Sequence, residues 1–406
     1  MKKKYVRWTL WTIASPFILF VILCILIYLP PIQNFLVDKA AVYASEATGM
    51  NISVGRISLS FPLNLVVTNV DAASPHNDTL LSVRRLQVNV QLLPLLKKQV
   101  EVDGISLQGA TVNSNDLIHG MKLNGTLGEL FISSHGVALD PETAIVNKVL
   151  LKDTDLSLCL NDTAAVDTAA SDTTYWKIIL QDIDLQNVSF ALDMPLDSLS
   201  LAASLDNAIL RDGLIDLHKS AYSLQTFRIK NGRVRYDSGK PLAADSLPSG
   251  LDPSHIALTD IGVKLDSLYY EGRNMKAIIS QFVLKERSGV EIVSATGRMV
   301  SNDKVLRVPS LKLETRDSYL ELNAAMDWNA LDFKGEGLVS ARLMADIGKP
   351  DVVRFMGRMD EKFVRQYPSE PLRIRTGIDG DLNKLKLTTL TAELPGALGL
   401  FARGEL

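Results

Sequence analysis

The chain is poor in the residues from which metal and redox centres are built. Its two cysteines are Cys24, inside an apolar N-terminal run, and Cys159, so everything beyond that run holds a single thiol and no intrachain disulfide. The five histidines, His76, His119, His135, His218 and His255, are scattered and show no H-x-x-x-H ligand spacing. No G-x-S-x-G elbow, Walker A loop, dinucleotide fingerprint or C-x-x-C is present. The expectation is a protein that is not an enzyme and needs no cofactor or metal. Basic charge is also scarce where a nucleic-acid partner would need it. Lys2, Lys3, Lys4 and Arg7 precede the apolar run, and without them 39 basic residues face 46 acidic ones. Such an acidic balance argues against phosphate binding.

What is present begins with Trp8–Leu29, WTLWTIASPFILFVILCILIYL, a stretch without charge. As a helix its 22 residues measure about 33 Å, enough for a bilayer. With the basic stub 1–7 before it, segment 8–30 is expected to be a transmembrane helix with a cytoplasmic N-terminus and the bulk of the chain outside. Val42-Tyr43-Ala44 meets the small-residue rule for signal cleavage, but it lies far beyond an apolar run too long for a signal peptide, which favours a retained anchor. Residues 31–48 place Ile32, Phe35, Leu36, Lys39, Val42 and Tyr43 along one stripe, an amphipathic juxtamembrane helix that Gly49 ends.

After Gly49 the period changes to two, the mark of strands with one apolar face. A phrase recurs: two apolar positions, a polar pair, then alternation restarted out of phase. It reads Val100, Val102, DG, Ile105, Leu107; then Ile178, Leu180, QD, Ile183, Leu185, with Val188 and Phe190 following; then Ile256, Leu258, TD, Ile261, Val263, Leu265. Looser forms are Phe227, Ile229, KNGR, Val234, Tyr236, and Leu311, Leu313, RDS, Leu320, Leu322, Met326. The polar pair fits either a hairpin turn or a bulge. Some 20 to 25 strands are expected by this count. They fill a β-rich segment 49–345, with loops near 161–174 and 238–254. A helical insertion follows at 346–368, where 351–366 reads as one amphipathic helix, and the β pattern resumes over 369–406. Asn-x-Ser/Thr triplets at Asn51, Asn77, Asn124, Asn161 and Asn187 match the glycosylation signal, at a frequency that composition alone accounts for.

The order of these parts, with TGMNISVGRISLSFPLNLVVTNVD at 48–71, the phrases VEVDGISLQGATV, LQDIDLQNVSFAL and LTDIGVKLDSLYY, and the distal LRIRTGIDGDLNKLKLTTLTAELPGALGLFARGEL, resembles the AsmA-like superfamily, most closely its TamB-type translocation and assembly module proteins of Gram-negative envelopes. The resemblance implies a mainly β fold in which an N-terminal transmembrane helix precedes an elongated, twisted β-sheet trough. It also implies a single-pass inner-membrane location with the bulk in the periplasm. The implied function is a non-catalytic conduit passing phospholipid toward the outer membrane, or alternatively support of outer-membrane protein insertion with an Omp85-type barrel partner. Family members normally continue past such a region to a further C-terminal domain. On this reading the groove is lined by Ile178, Leu180, Ile183, Leu185, Val188, Phe190, Ile256, Leu258, Ile261, Val263, Leu265, Leu320, Leu322 and Met326. Alternation leaves one question open, whether that face meets lipid or a closed protein core. Asn187 reads as outward, where exchange for Asp is expected to be silent.

Overall fold

The fold was read from a computed structural model. It describes residues 37–405 except 61–63, 75–77, 92–101, 115–119, 139–141, 162–175, 240–249, 333–336, 382–383 and the single positions 38, 40, 44, 47 and 358. Nineteen strands form one sheet. The first seven are β1 (Asn51–Ser60), β2 (Asn64–Ala73), β3 (Thr79–Val90), β4 (Val102–Asn113), β5 (Met121–Ala138), β6 (Thr143–Leu160) and β7 (Lys177–Met194). Then come β8 (Leu199–Asp216), β9 (Ala221–Leu224), β10 (Thr226–Ser238), β11 (His255–Glu271), β12 (Asn274–Glu286) and β13 (Glu291–Ser301). The last are β14 (Val305–Thr315), β15 (Tyr319–Asp327), β16 (Leu338–Ile347), β17 (Leu372–Asp381), β18 (Lys384–Leu394) and β19 (Leu398–Glu405).

Each strand pairs antiparallel with the next, with two departures. β6 and β7 run parallel, and β9 and β10 share one place, both pairing with β8 on one side and β11 on the other. The result is a ribbon eighteen strand positions long, about 80 Å at 4.8 Å per step. Among the described residues β1 and β19 pair on one side only, so the ribbon does not close into a barrel.

The expected transmembrane helix, and with it the single-pass inner-membrane location, is corrected by the structure: no helix among the described residues is long and apolar enough to cross a membrane. Segment 8–30 lies outside the described residues. The α-helices with defined bounds are α1 (Lys349–Met356) and α2 (Glu361–Gln366), and at 1.5 Å per residue the longer measures about 12 Å, against about 30 Å of hydrocarbon. The fold established is therefore a mainly β, mixed sheet. Helical positions do occur within 37–48, and Gly49, at φ 69, ends them as expected.

The single helix expected over 351–366 is two. Gly357, at φ 72, breaks it, and the Asp360 carboxylate accepts from Lys362 N at 2.7 Å to start α2. α1 lies across strand ends. Its Asp351, 1 % exposed, accepts from Thr315 Oγ1 and, at 2.6 Å, from Ser318 Oγ at the β14–β15 turn. Arg354 reaches Asp317 in the same turn at 2.8 Å, while its carbonyl accepts from Leu251 N, ahead of β11. The helix thereby ties the ends of strands that lie several positions apart in the ribbon.

The polar pairs of the repeated phrase prove to be bulges inside single strands. Residues 178–192 all lie in β7, and 256–265 all lie in β11. These bulges align into two creases running across the strands. The first joins Gly55, Asn69, Arg84, Gly109, Gly128, Asp153, Asn187, Asp206 and Asn231 from β1 to β10, and Asp260 takes it into β11. Asn69, Gly109, Asp153, Asn187, Asn231 and Asp260 hold φ between 49 and 62, the left-handed conformation that glycine, Asn and Asp accept most readily. The second runs through Asp103, Asn147, Gln181, Asp212, Gln225 and Asp266. A bulge bends its strand and increases local twist, so an aligned row of them bends the whole sheet.

Two outcomes follow from these contacts. Asn187 is exposed but donates to Asp153 Oδ1 at 2.9 Å, so Asp at this position faces a second carboxylate and is not silent. Asn187→Val adds the left-handed penalty of a β-branched residue and is expected to lose about 1–2 kcal/mol more than Asn187→Gly in denaturant unfolding. At the other end Asp351→Ala strands the Thr315 and Ser318 hydroxyls and leaves Arg354 with Asp317 alone. We expect a loss of about 1–3 kcal/mol and faster proteolytic cleavage within 349–366, and unchanged cleavage there would show that α1 is not held by this carboxylate.

Candidate functional site

The candidate site is a face of the sheet, assembled by register. From Leu185 in β7 the partners lead one way through Leu151, Leu130, Leu107, Leu86 and Val67 to Ile57. The other way they lead through Ala208, Ile229, Val263, Phe282, Ala295, Leu313, Leu320, Ala345, Ile374 and Ala392 to Leu400. Directly paired residues point to the same side. This row therefore crosses every strand position of the ribbon without one polar side chain. The neighbouring row through Ile183 runs from Leu59 to Ala402 and has one hydroxyl, at Thr376.

Between β3 and β10 these two rows form the floor between the creases, and further apolar positions continue on either side as walls. Ile178 and Leu180 lie beyond the second crease, paired with Ala144 and Val146 of β6. Val188 and Phe190 lie beyond the first, paired with Leu205 and Ala203 of β8. Ile256 and Leu258 continue that wall in β11, opposite Tyr236 and Val234, while Ile261, opposite Gly232, lies on the floor side of Asp260. Val263, Leu265, Leu320 and Leu322 belong to the floor rows, and Met326 pairs with Leu306 and Val339 on the same face. All fourteen residues singled out in the sequence thus share one side of the sheet. The larger part of that face, in β1–β5 and β16–β19, lies outside those fourteen, although ladders such as Leu65–Val67 and Leu398–Leu400 carry the same alternation. Missed was that the interruptions come in pairs six residues apart: the phrases marked Asp103 and Gln181 on the second crease and Asn231 and Asp260 on the first, but not Gly109, Asn187, Gln225 and Asp266.

Among the described residues the extensive backbone contacts of each strand are with its sheet neighbours and the short turns beside them. No large apolar side chain among them is fully buried, and Asp351 alone of the large residues is. Phe190 remains 38 % exposed, whereas the small floor residues Ala208 and Ala345 are at 4 % and 2 %. That is the opposite of a closed core, which buries its largest residues.

The other face is polar where it backs the floor. Arg56, Thr68, Arg85, Gln108, Glu129, Lys152, Gln186, Asn207 and Lys230 form one paired row there. Arg211 pairs with Asp182, Asn207 donates to Asp184 at 3.1 Å, and Lys285 donates to Asp260 at 2.8 Å. The hydrogen bond and charge of that ammonium hold the Asp260 carboxyl below its ordinary range. Crease side chains join in: Asn231 donates to Asp206 at 2.8 Å and Asn147 to Gln181 at 3.2 Å. One shallow hollow, of about 510 Å³, lies around Arg342, Gly377 and Thr389, and another, of about 370 Å³, lies around Phe190, Ala203, Val234 and Leu258. No group of three or more His, Cys, Asp or Glu among the described residues is placed to hold a metal ion. What the arrangement offers chemically is an extended apolar surface, backed by a hydrated one.

Compared with protein-family models and with curated proteins, the chain matches no family and no individual relative.

Proposed function

We propose that the chain binds acyl chains along its apolar face and transfers phospholipid from one end of the ribbon to the other without catalysis. The observation that carries this reading is the apolar row through Leu185, continuous over every strand position and uncovered by any described element. A hydrocarbon chain in water costs about 0.8 kcal/mol per methylene, more than ten for a full acyl chain. An apolar track removes most of that cost at each point of the path. Because the attraction is non-directional and nearly uniform along the row, a bound chain moves from strand to strand without crossing a polar step. The lipid gradient supplies the direction. The polar reverse face keeps the structure hydrated, and head groups remain in water along the open side.

A second reading, pairing with a strand of an outer-membrane barrel partner, finds support in the one-sided pairing of β1 and β19 among the described residues. Capture of such a partner by chain stripped of lipid would favour it.

The experiment is transfer of fluorescent phospholipid between donor and acceptor vesicles by the purified chain. Leu185→Asp sets a carboxylate in the floor, where it loses hydration without gaining a partner. Transfer is expected to fall about tenfold or more, equivalent to about 1.4 kcal/mol. Ala202→Asp places the same group on the polar face, directly paired with Arg235, and is expected to leave transfer within about twofold of the parent. Leu185→Asp protein that keeps its β-sheet circular dichroism and the parental rate would sink the reading.

A further inference from the structure

The two creases are evenly spaced. In β7 they sit at Gln181 and Asn187, and the same interval of six separates Asn147 from Asp153 in β6, Asp206 from Asp212 in β8 and Asp260 from Asp266 in β11. Six steps at 3.3 Å set the creases about 20 Å apart. Facing β layers pack about 10 Å apart with their side chains interdigitated, so the side chains of two opposed walls fill about 10 Å of that distance and leave about 10 Å clear. Hydrocarbon chains in contact lie about 4–5 Å apart. The clear width therefore takes two chains abreast, one over the Leu185 row and one over the Ile183 row, and has no place for a third.

Resting on the lipid-transfer reading, we propose that the paired creases make the groove selective by chain number: it takes lipids with two acyl chains, in single file, and excludes lipids whose one head group carries five or six. The floor rows through Leu185 and Ile183 offer no charged group to recognise a head group. Two-chain lipids of different head group are therefore bound alike.

The test uses the full chain carrying a photoreactive residue in place of Val263 in the floor. It is exposed to dioleoylphosphatidylglycerol, dioleoylphosphatidylcholine or hexa-acylated lipid A, and crosslinked lipid is measured by mass spectrometry. The two phospholipids are expected to crosslink within about twofold of each other and lipid A at least about tenfold less, a difference of about 1.4 kcal/mol. Equal crosslinking of lipid A overturns the width filter while leaving lipid transfer standing. A tenfold preference between the two phospholipids overturns head-group indifference. Failure of all three lipids to crosslink removes the functional reading itself. A second variant, Ala208→Trp, fills half the floor beside Leu185. With its β-sheet circular dichroism intact, it is expected to lose dioleoylphosphatidylcholine crosslinking by about tenfold and to keep that of single-chain lysophosphatidylcholine; retention of the two-chain lipid at the parental level counts against the proposal. Should Ala208→Trp misfold, the lipid series on the otherwise unaltered chain decides alone.

Discussion

Everything in this molecule depends on the backbone hydrogen-bond ladder of a single-layered sheet. In a two-layered protein an apolar side chain is held by whatever packs over it. Here the strands make their extensive contacts with neighbours within the sheet, and the ladder fixes which side a strand residue occupies. Since alternation is strict, one slip of register turns a strand's apolar set to water. The many hydrogen-bonded pairs per strand, such as the run from Ile178–Ile215 to Met194–Leu199 between β7 and β8, are what make that slip costly. The consequence is a face over which the described residues place no second sheet layer.

The creases interrupt the long strands at matching positions. An eighteen-residue strand such as β7 would be about 60 Å long if straight, and a flat sheet of such strands leaves its apolar side fully open. Bulges at Gln181 and Asn187 bend it twice while the flanking residues stay paired. Each bulge leaves a residue whose side chain does not fit the apolar alternation. Placing Asn, Asp or Gln there directs that side chain outward, where it bonds to its counterpart in the next strand, as Asn187 does to Asp153 and Asn231 to Asp206. Gly128 shows the steric side of the same constraint: a Cβ there would lie 2.8 Å from the Asp153 Cβ. Backbone geometry, polarity and curvature are thus decided at the same positions.

At the distal strands another device takes over. β14 to β19 are shorter than β5 to β8, and α1 braces the β14–β15 turn through the buried Asp351 carboxylate and through Arg354. A buried carboxylate is tolerable only when its hydrogen bonds are met, and here Thr315, Ser318 and Arg354 meet them. The helix meets the strand ends and does not cover the apolar rows, so the brace stiffens one rim and leaves the face open.

The sequence by itself determined the class of structure and the sidedness of its strands. Ile183 and Leu185, Ile261 and Val263, and Leu320 and Leu322 alternate with polar residues, and a period of two has one meaning wherever the backbone is extended. It did not determine whether Gln181-Asp182 or Thr259-Asp260 was a hairpin turn or a bulge, because Asp and Asn serve both through the same left-handed conformation. Nor did it locate the creases, since Asp212 acquires meaning only beside Gln181, thirty-one residues earlier, and Asp153 only beside Asn187. The break of the expected 351–366 helix at Gly357 was likewise settled by the close approach of Gly250, whose Cβ would fall 2.2 Å from the Gly357 Cα. Whether the apolar face lies open was decided by the tertiary structure alone. Alternation says which residues share a side; only the placement of all other elements says what, if anything, stands over them.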